Sequence, residues 1–275
     1  MTLAGLVEQV ALDPVVARSL DDLGRLPALD LTTPEAMRPL LVAALASRST
    51  APVLAVTSTF REAETLTAAV ASLLRHDEVA YYPAWETLPH ERLSPRSDTV
   101  GRRLAVLRRL AGNDELPPPR VIVAPVRAVL QPQVAGLGDL LPVRLRVGET
   151  HDVTEVARRL VDAAYTRVDL VERRGEFPVR GGIVDVFPPT EEHPVRIDFF
   201  GDEVDEIRPF AVADQRSFPE SLPEIVASPC RELLLNADVR SRAAALATRK
   251  TLNPTILELF ERIAQGHAVD GMEGL

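Results

Sequence analysis

Cysteine is almost missing: Cys230 is the only one in 275 residues. That excludes an internal disulfide and a cysteine metal cluster, and fits a reducing compartment. The histidines, His76, His90, His151, His193 and His267, are scattered, with none at helical ligand spacing from another, so no zinc site is expected. Lysine is as scarce. Lys250 is the sole example, so the positive charge is arginine, and Lys250-Thr251 has no glycine loop before it to cradle a phosphate. Positive charge as a whole is in deficit, with a net charge of −9 and a pI near 5.2. A segment built to grip phosphates carries the opposite sign, so protein partners are expected ahead of DNA. No apolar run reaches membrane length and the first residues lack a signal-peptide layout, so a cytoplasmic protein without membrane contact is expected. G-x-S-x-G, H-E-x-x-H and a Cys/His pairing are all absent. The reading of a soluble hydrolytic enzyme therefore finds no catalytic residue.

What is present is a folding sequence: 46% hydrophobic and 26% charged, long enough for two or three domains. Residues 1–28 show two short amphipathic helices broken at Pro14. A turn and helix then precede the apolar run APVLAVTSTF, a further helix, and EVAYYP; strand, helix, strand implies a parallel sheet with helices on its faces. Trp85, in the segment Trp85 to Pro89, reads as an anchor for a long loop, with direct ligand contact as the rival reading. The next helix carries Arg102, Arg103, Arg108 and Arg109. They could touch phosphates, but such a cluster is more often a solvated face paired with acids. NDELPPPR (113–120) is a linker, and VIVAPVRAVLQP is a buried strand and short helix. LPVRLRVGET is a strand, and a helix capped by Thr150 or Asp152 follows. Asn236 caps one later helix, and Asn253-Pro254 opens another that stops at Gly266.

The chain is organised around residues 175–210. Ile183, Asp185 and Phe187 alternate with Val184 and Val186, and Val195, Ile197 and Phe199 with Arg196 and Asp198, the period of half-buried strands. PPTEEHP between them reads as a hairpin loop. Gly181-Gly182 allows a sharp turn or the close approach of another chain. Phe177, Val179, Arg180, Gly181, Asp185, Phe187 and Pro188, with Tyr165 and Arg167 upstream, resemble the pattern F-x-V-R-G-x-x-x-D-x-F-P. That pattern belongs to the UvrA-binding domain shared by the excision-repair protein UvrB and the transcription-repair coupling factors. The W-E-T-L-P segment, the return strand and the absence of a tyrosine-rich hairpin resemble the coupling factors' N-terminal UvrB-like region. A fragment of UvrB is the alternative.

The resemblance implies an α/β fold: a degenerate helicase-like parallel domain, discontinuous in sequence (1A and 1B), with an inserted α+β UvrA-binding domain on an antiparallel sheet. Its divisions would be residues 1–28, 29–126, 127–210 and 211–275, the last crossing back to the first domain and ending within it. It implies UvrA as partner, met by Arg167, Arg180 and Phe187. An exposed Phe187 would be an apolar anchor, although its alternation with core positions makes burial the competing reading. Pro178 stands where UvrB has a further arginine, which suggests fewer salt links. Arg180 could instead pair across strands with Glu176 or Asp185. RNA polymerase and double-stranded DNA would be met by other regions, and ATP-driven translocation would lie beyond residue 275. The family's phosphate loop G-x-T-G-S-G-K-T falls on residues 30–37, where only Thr32 survives. Asp30, Thr33 and Glu35 replace the glycines, Ala36 the lysine and Met37 the magnesium-binding hydroxyl. No cofactor is therefore expected in this segment.

Overall fold

Pro14 divides the first residues into two helices, because a ring without an N–H can open a helix but not continue one. The computed structural model describes all residues except 1, 2, 24, 89, 90, 92, 250–252, 274 and 275; expectations resting on Pro89, Lys250 and Leu275 lie outside the described residues. The two helices are α1 (Ala4–Leu12) and α2 (Pro14–Leu23), the second started by Asp13, whose Oδ1 accepts the Val15 N–H at 2.9 Å. There follow α3 (Arg38–Arg48), β1 (Val53–Thr57), α4 (Phe60–Leu73), β2 (Val79–Tyr81), α5 (Ser97–Ala111), β3 (Val121–Pro125) and α6 (Val126–Leu130). β1 and β2 both pair in parallel with β3, in the order β1-β3-β2. Val121 and Val123 join a core with Ala43, Ala44, Ala63 and Val70, whereas Ile122 and Ala124 join another with Val106 and Ala128. Both faces of β3 are covered, which is why its sequence is apolar without alternation.

The chain divides into two compact units, residues 1–84 with 105–132, and residues 85–104 with 133–275. The second unit continues with β4 (Val143–Arg146), α7 (Val153–Asp162), β5 (Thr166–Arg167), β6 (Glu176–Phe177), β7 (Val179–Arg180), β8 (Ile183–Val186), β9 (Val195–Phe200), β10 (Glu203–Pro209) and β11 (Glu224–Ala227), and ends with α8 (Ala237–Ala247) and α9 (Pro254–Ala264). An antiparallel sheet runs β10-β9-β8-β7, with β4 pairing β11 and β5 pairing β6 beside it. Asp152 is the cap of α7: its side chain accepts the Glu155 N–H at 3.0 Å, and that bond holds its pKa below the usual carboxylate value. Asn236 and Asn253 cap α8 and α9.

Two expectations change here. Residues 211–275 group with the second unit instead of the first, because β11 pairs with β4 and Cys230 enters the same core as Tyr165 and Phe177. The arginines of α5 are not a solvated face either. Arg103, Arg108 and Arg109 are buried and only Arg102 of the four is exposed. Arg108 meets Asp114 at 3.4 Å, and Arg109 donates to the carbonyls of Pro117, at 2.9 Å, and Asp77. Burial pushes the Arg109 pKa down. Arg103 Nε donates to Glu232 at 2.6 Å, and Trp85, buried as an anchor should be, donates its indole N–H to the same oxygen at 3.0 Å. Among the described residues no helix is long and apolar enough to cross a membrane.

Candidate functional site

The two-residue period of the central strands separates two sets of side chains. Val184 and Val186 of β8, Val195, Ile197 and Phe199 of β9, and Val204 and Ile207 of β10 enter the main core of the second unit with α7. Ile183 and Asp185, and Arg196, Asp198 and Phe200, therefore face the opposite side. Arg180 joins them, since β7 pairs it with Ile183 while its neighbour Val179 packs on the core.

Asp185 is the hub of this second face. Its side chain is wholly inaccessible, yet its charge is matched twice. Arg196 grips it with a two-pronged contact, Nε to Oδ1 at 2.7 Å and Nη2 to Oδ2 at 3.0 Å, and Arg180 Nη2 also donates to Oδ2. These are the charge-assisted bonds that make a buried carboxylate tolerable. Donating to Asp185 raises the Arg196 pKa further. Alongside, Arg208 lies 3.6 Å from Asp198 and 3.2 Å from Glu206.

The glycine pair sets the end of this face. Gly181 turns the chain at φ +61°, and a Cβ on Gly182 would stand 2.9 Å from the Phe199 carbonyl oxygen. In return, the Phe199 N–H donates to the Gly182 carbonyl at 2.8 Å. The turn carrying Arg180 and the end of β9 carrying Phe200 are thereby drawn together. Gly182→Ala must displace backbone and is expected to cost about 1–3 kcal/mol. Gly181→Ala, with open space around it, costs only the left-handed conformation, about 1 kcal/mol. Urea denaturation of the two variants checks the ranking.

Of the three residues expected to meet a partner, Arg180 stands on this face with a half-exposed side chain, paired with Asp185 as the cross-strand reading allowed. Arg167 is exposed on β5, which pairs with β6 outside the β10-β9-β8-β7 sheet that carries Arg180. Phe187 is corrected: it is not an exposed anchor. Its ring is 6% accessible, packed with Val171 and Phe210 and covered by the Arg174 guanidinium 4.9 Å from its centroid. Its strand parity turns it away from the main core, and this smaller cluster closes over it. Two residues of the face were missed. Arg196 completes the hub, and Phe200 is 82% exposed, the most accessible large hydrophobic side chain among the described residues. The signal was the pair Phe199-Phe200: adjacent residues of a strand cannot both face the core, and Phe199 continues the inward series.

Residues 30–37 do form a turn before a helix. Thr32 is exposed coil, Thr33 is half-buried, and Glu35, Ala36 and Met37 make a single 3₁₀ turn ahead of α3. Pro34 and Pro39 remove N–H groups where a phosphate loop needs them. Glu35 and Ala36 edge an open cleft of about 1060 Å³ reached also by Ser58 and Glu62. There the Glu62 carboxylate already takes the Ser58 hydroxyl at 2.6 Å and its N–H at 3.2 Å, bonds that lower its pKa. The Ser58 donors of that cleft are thus held by a resident anion. Among the described residues no cluster of three His, Cys, Asp or Glu could hold a metal.

A family model described as the UvrB interaction domain matches residues 143–232, the span that contains the hub. The transcription-repair-coupling factor of Mycobacterium tuberculosis is 49% identical over 283 residues, 99% of this chain and 23% of that protein. Those of Bacillus subtilis and Escherichia coli are 36% and 31% identical over 75% and 66% of the chain. The chain thus spans about a quarter of the length of the first of these relatives, and the match favours the coupling factors over UvrB. The chain thus carries a match to the UvrB interaction domain and is similar along nearly its whole length to part of the transcription-repair-coupling factors.

Proposed function

We propose that the face carrying Arg180, Arg196 and Phe200 binds UvrA, with Arg167 contributing from β5. One observation supports this reading above the others. A nearly bare aromatic ring, 82% exposed, stands at the end of the sheet beside an arginine that a buried carboxylate already orients. Exposed large aromatics and arginines are the residue types that dominate binding energy at protein interfaces. A planar guanidinium offers parallel N–H groups to a carboxylate, and the ring offers an apolar anchor next to it. The partner surface this suits is acidic with an apolar recess.

By the same reading, the whole protein brings UvrA, and with it the excision machinery, to stalled RNA polymerase in the cytoplasm. Polymerase contact, double-stranded DNA contact and ATP-driven translocation belong to regions outside this chain. Residues 29–126 would be the helicase-like domain whose phosphate loop has decayed, and the segment would have no ATPase of its own. Calorimetric titration of the chain with purified UvrA tests the main claim: saturable binding is expected, and its absence from a well-folded sample overturns it. Titration with a non-hydrolysable ATP analogue is expected to leave the melting temperature unchanged. A rise would restore a nucleotide site to the cleft.

A further inference from the structure

We propose that Asp185 is a positioning residue for this interface: clamped by Arg196 from behind, it aims Arg180 outward at a carboxylate of the partner. The inference rests on the UvrA-binding reading above and adds to it the residue that sets the geometry. Arg196 is fixed on every side the structure offers. Besides its two bonds to Asp185, its Nη1 donates to the Gln215 carbonyl at 3.3 Å and its guanidinium lies 4.8 Å over the Phe210 ring. Gln215 holds that carbonyl from a left-handed backbone, φ 59°, a conformation a non-glycine residue keeps only where its surroundings impose it. Arg196 is only 18% accessible, whereas Arg180 is 46% accessible and bonds the hub through Nη2 alone.

The charge count carries the argument. A buried aspartate gripped by both prongs of one arginine is already neutralised. The second arginine leaves the trio at +1, and the surplus charge sits on the exposed member. Its other N–H groups remain for an incoming carboxylate, in an orientation set before binding. Pre-ordering a long side chain in this way removes part of the entropy cost of association.

The test is a double-mutant cycle in UvrA titrations, with the melting temperature of each chain. Asp185→Asn keeps the size but loses one anionic partner. It is expected to weaken binding on the order of tenfold although the face becomes more positive, and to have no further effect in an Arg180→Ala background. Equal losses in both backgrounds, or tighter binding by Asp185→Asn, overturn the proposal. Arg180→Lys covers the case in which Asp185→Asn fails to fold. It keeps the charge at an exposed site but not the planar geometry, and a similar loss is expected; full affinity overturns the role. Side-chain ¹⁵N relaxation of Arg180 needs no partner. Asp185→Asn should mobilise its guanidinium, and unchanged order overturns positioning. Failure of the wild-type chain to bind UvrA, with Arg180 ordered through Asp185, would refute the partner assignment alone.

Discussion

Arg180→Glu is expected to weaken UvrA binding by about a hundredfold or more, and Phe200→Ala by about thirtyfold, with melting temperature and far-ultraviolet circular dichroism little changed. The first figure combines the loss of an oriented guanidinium with repulsion between the new carboxylate and an acidic partner. The second is the roughly 2 kcal/mol typical of a central aromatic anchor. Stability should hold because both side chains are accessible, and because Arg196 continues to neutralise Asp185 through two bonds of its own. Phe187→Ala supplies the contrast. That ring is buried against Val171 and Phe210, so truncating it should cost about 3–5 kcal/mol of folding stability. It should affect binding only through the fold. If instead Phe187→Ala left stability untouched and removed binding, the anchor would be Phe187 and the exposed ring of Phe200 incidental. Titration calorimetry beside urea denaturation separates the two outcomes.

Local chemistry made much of this fold legible. Pro14, the asparagines before α8 and α9 and the glycine pair at 181–182 act within a few residues of themselves, and each does what its residue type dictates. The alternation of β8 and β9 and the uninterrupted apolar character of β3 likewise report burial on one face or two. The candidate site was legible only in part. Arg180 stood out through its motif, but the choice between Phe187 and Phe200 depends on the side cluster of Val171 and Phe210, residues distant in sequence from β8. The hub was legible only in its Arg180–Asp185 half, for the same reason. Asp185 and Arg196 look like ordinary polar positions of two strands, and only the register that sets them opposite one another makes a buried ion pair. The arginines of α5 mislead in the same way. Their partners are Asp114, Glu232 and the carbonyls of Pro117 and Asp77, and helical periodicity says nothing about those.

Glu232→Ala is expected to be the most damaging single substitution in the second unit, at about 3–5 kcal/mol. The side chains of Arg103 and Glu232 are 0% and 1% accessible, so deleting the carboxylate removes the counter-charge from a guanidinium that water does not reach. The same change takes the acceptor from the Trp85 indole, which donates to Glu232 Oε1 at 3.0 Å while Arg103 lies 5.1 Å over its ring. Losing that buried acceptor costs a further 1–3 kcal/mol or so. Glu232→Gln separates the two contributions, because the amide oxygen can still accept from the indole but no longer neutralises Arg103. Arg103→Met with Glu232→Gln then removes the guanidinium charge, keeps the indole bond and should recover most of the stability lost in Glu232→Gln alone. Buried ion pairs are often replaceable by apolar groups of similar volume at little cost, whereas half of one is not. Because Trp85 is the only tryptophan in the chain, its emission reports the cluster directly. Glu232→Ala should shift it to longer wavelength below the unfolding transition, and the double variant should return it towards the wild-type position. A loss under about 1 kcal/mol in urea denaturation of Glu232→Ala would mean that the pair is solvated in solution.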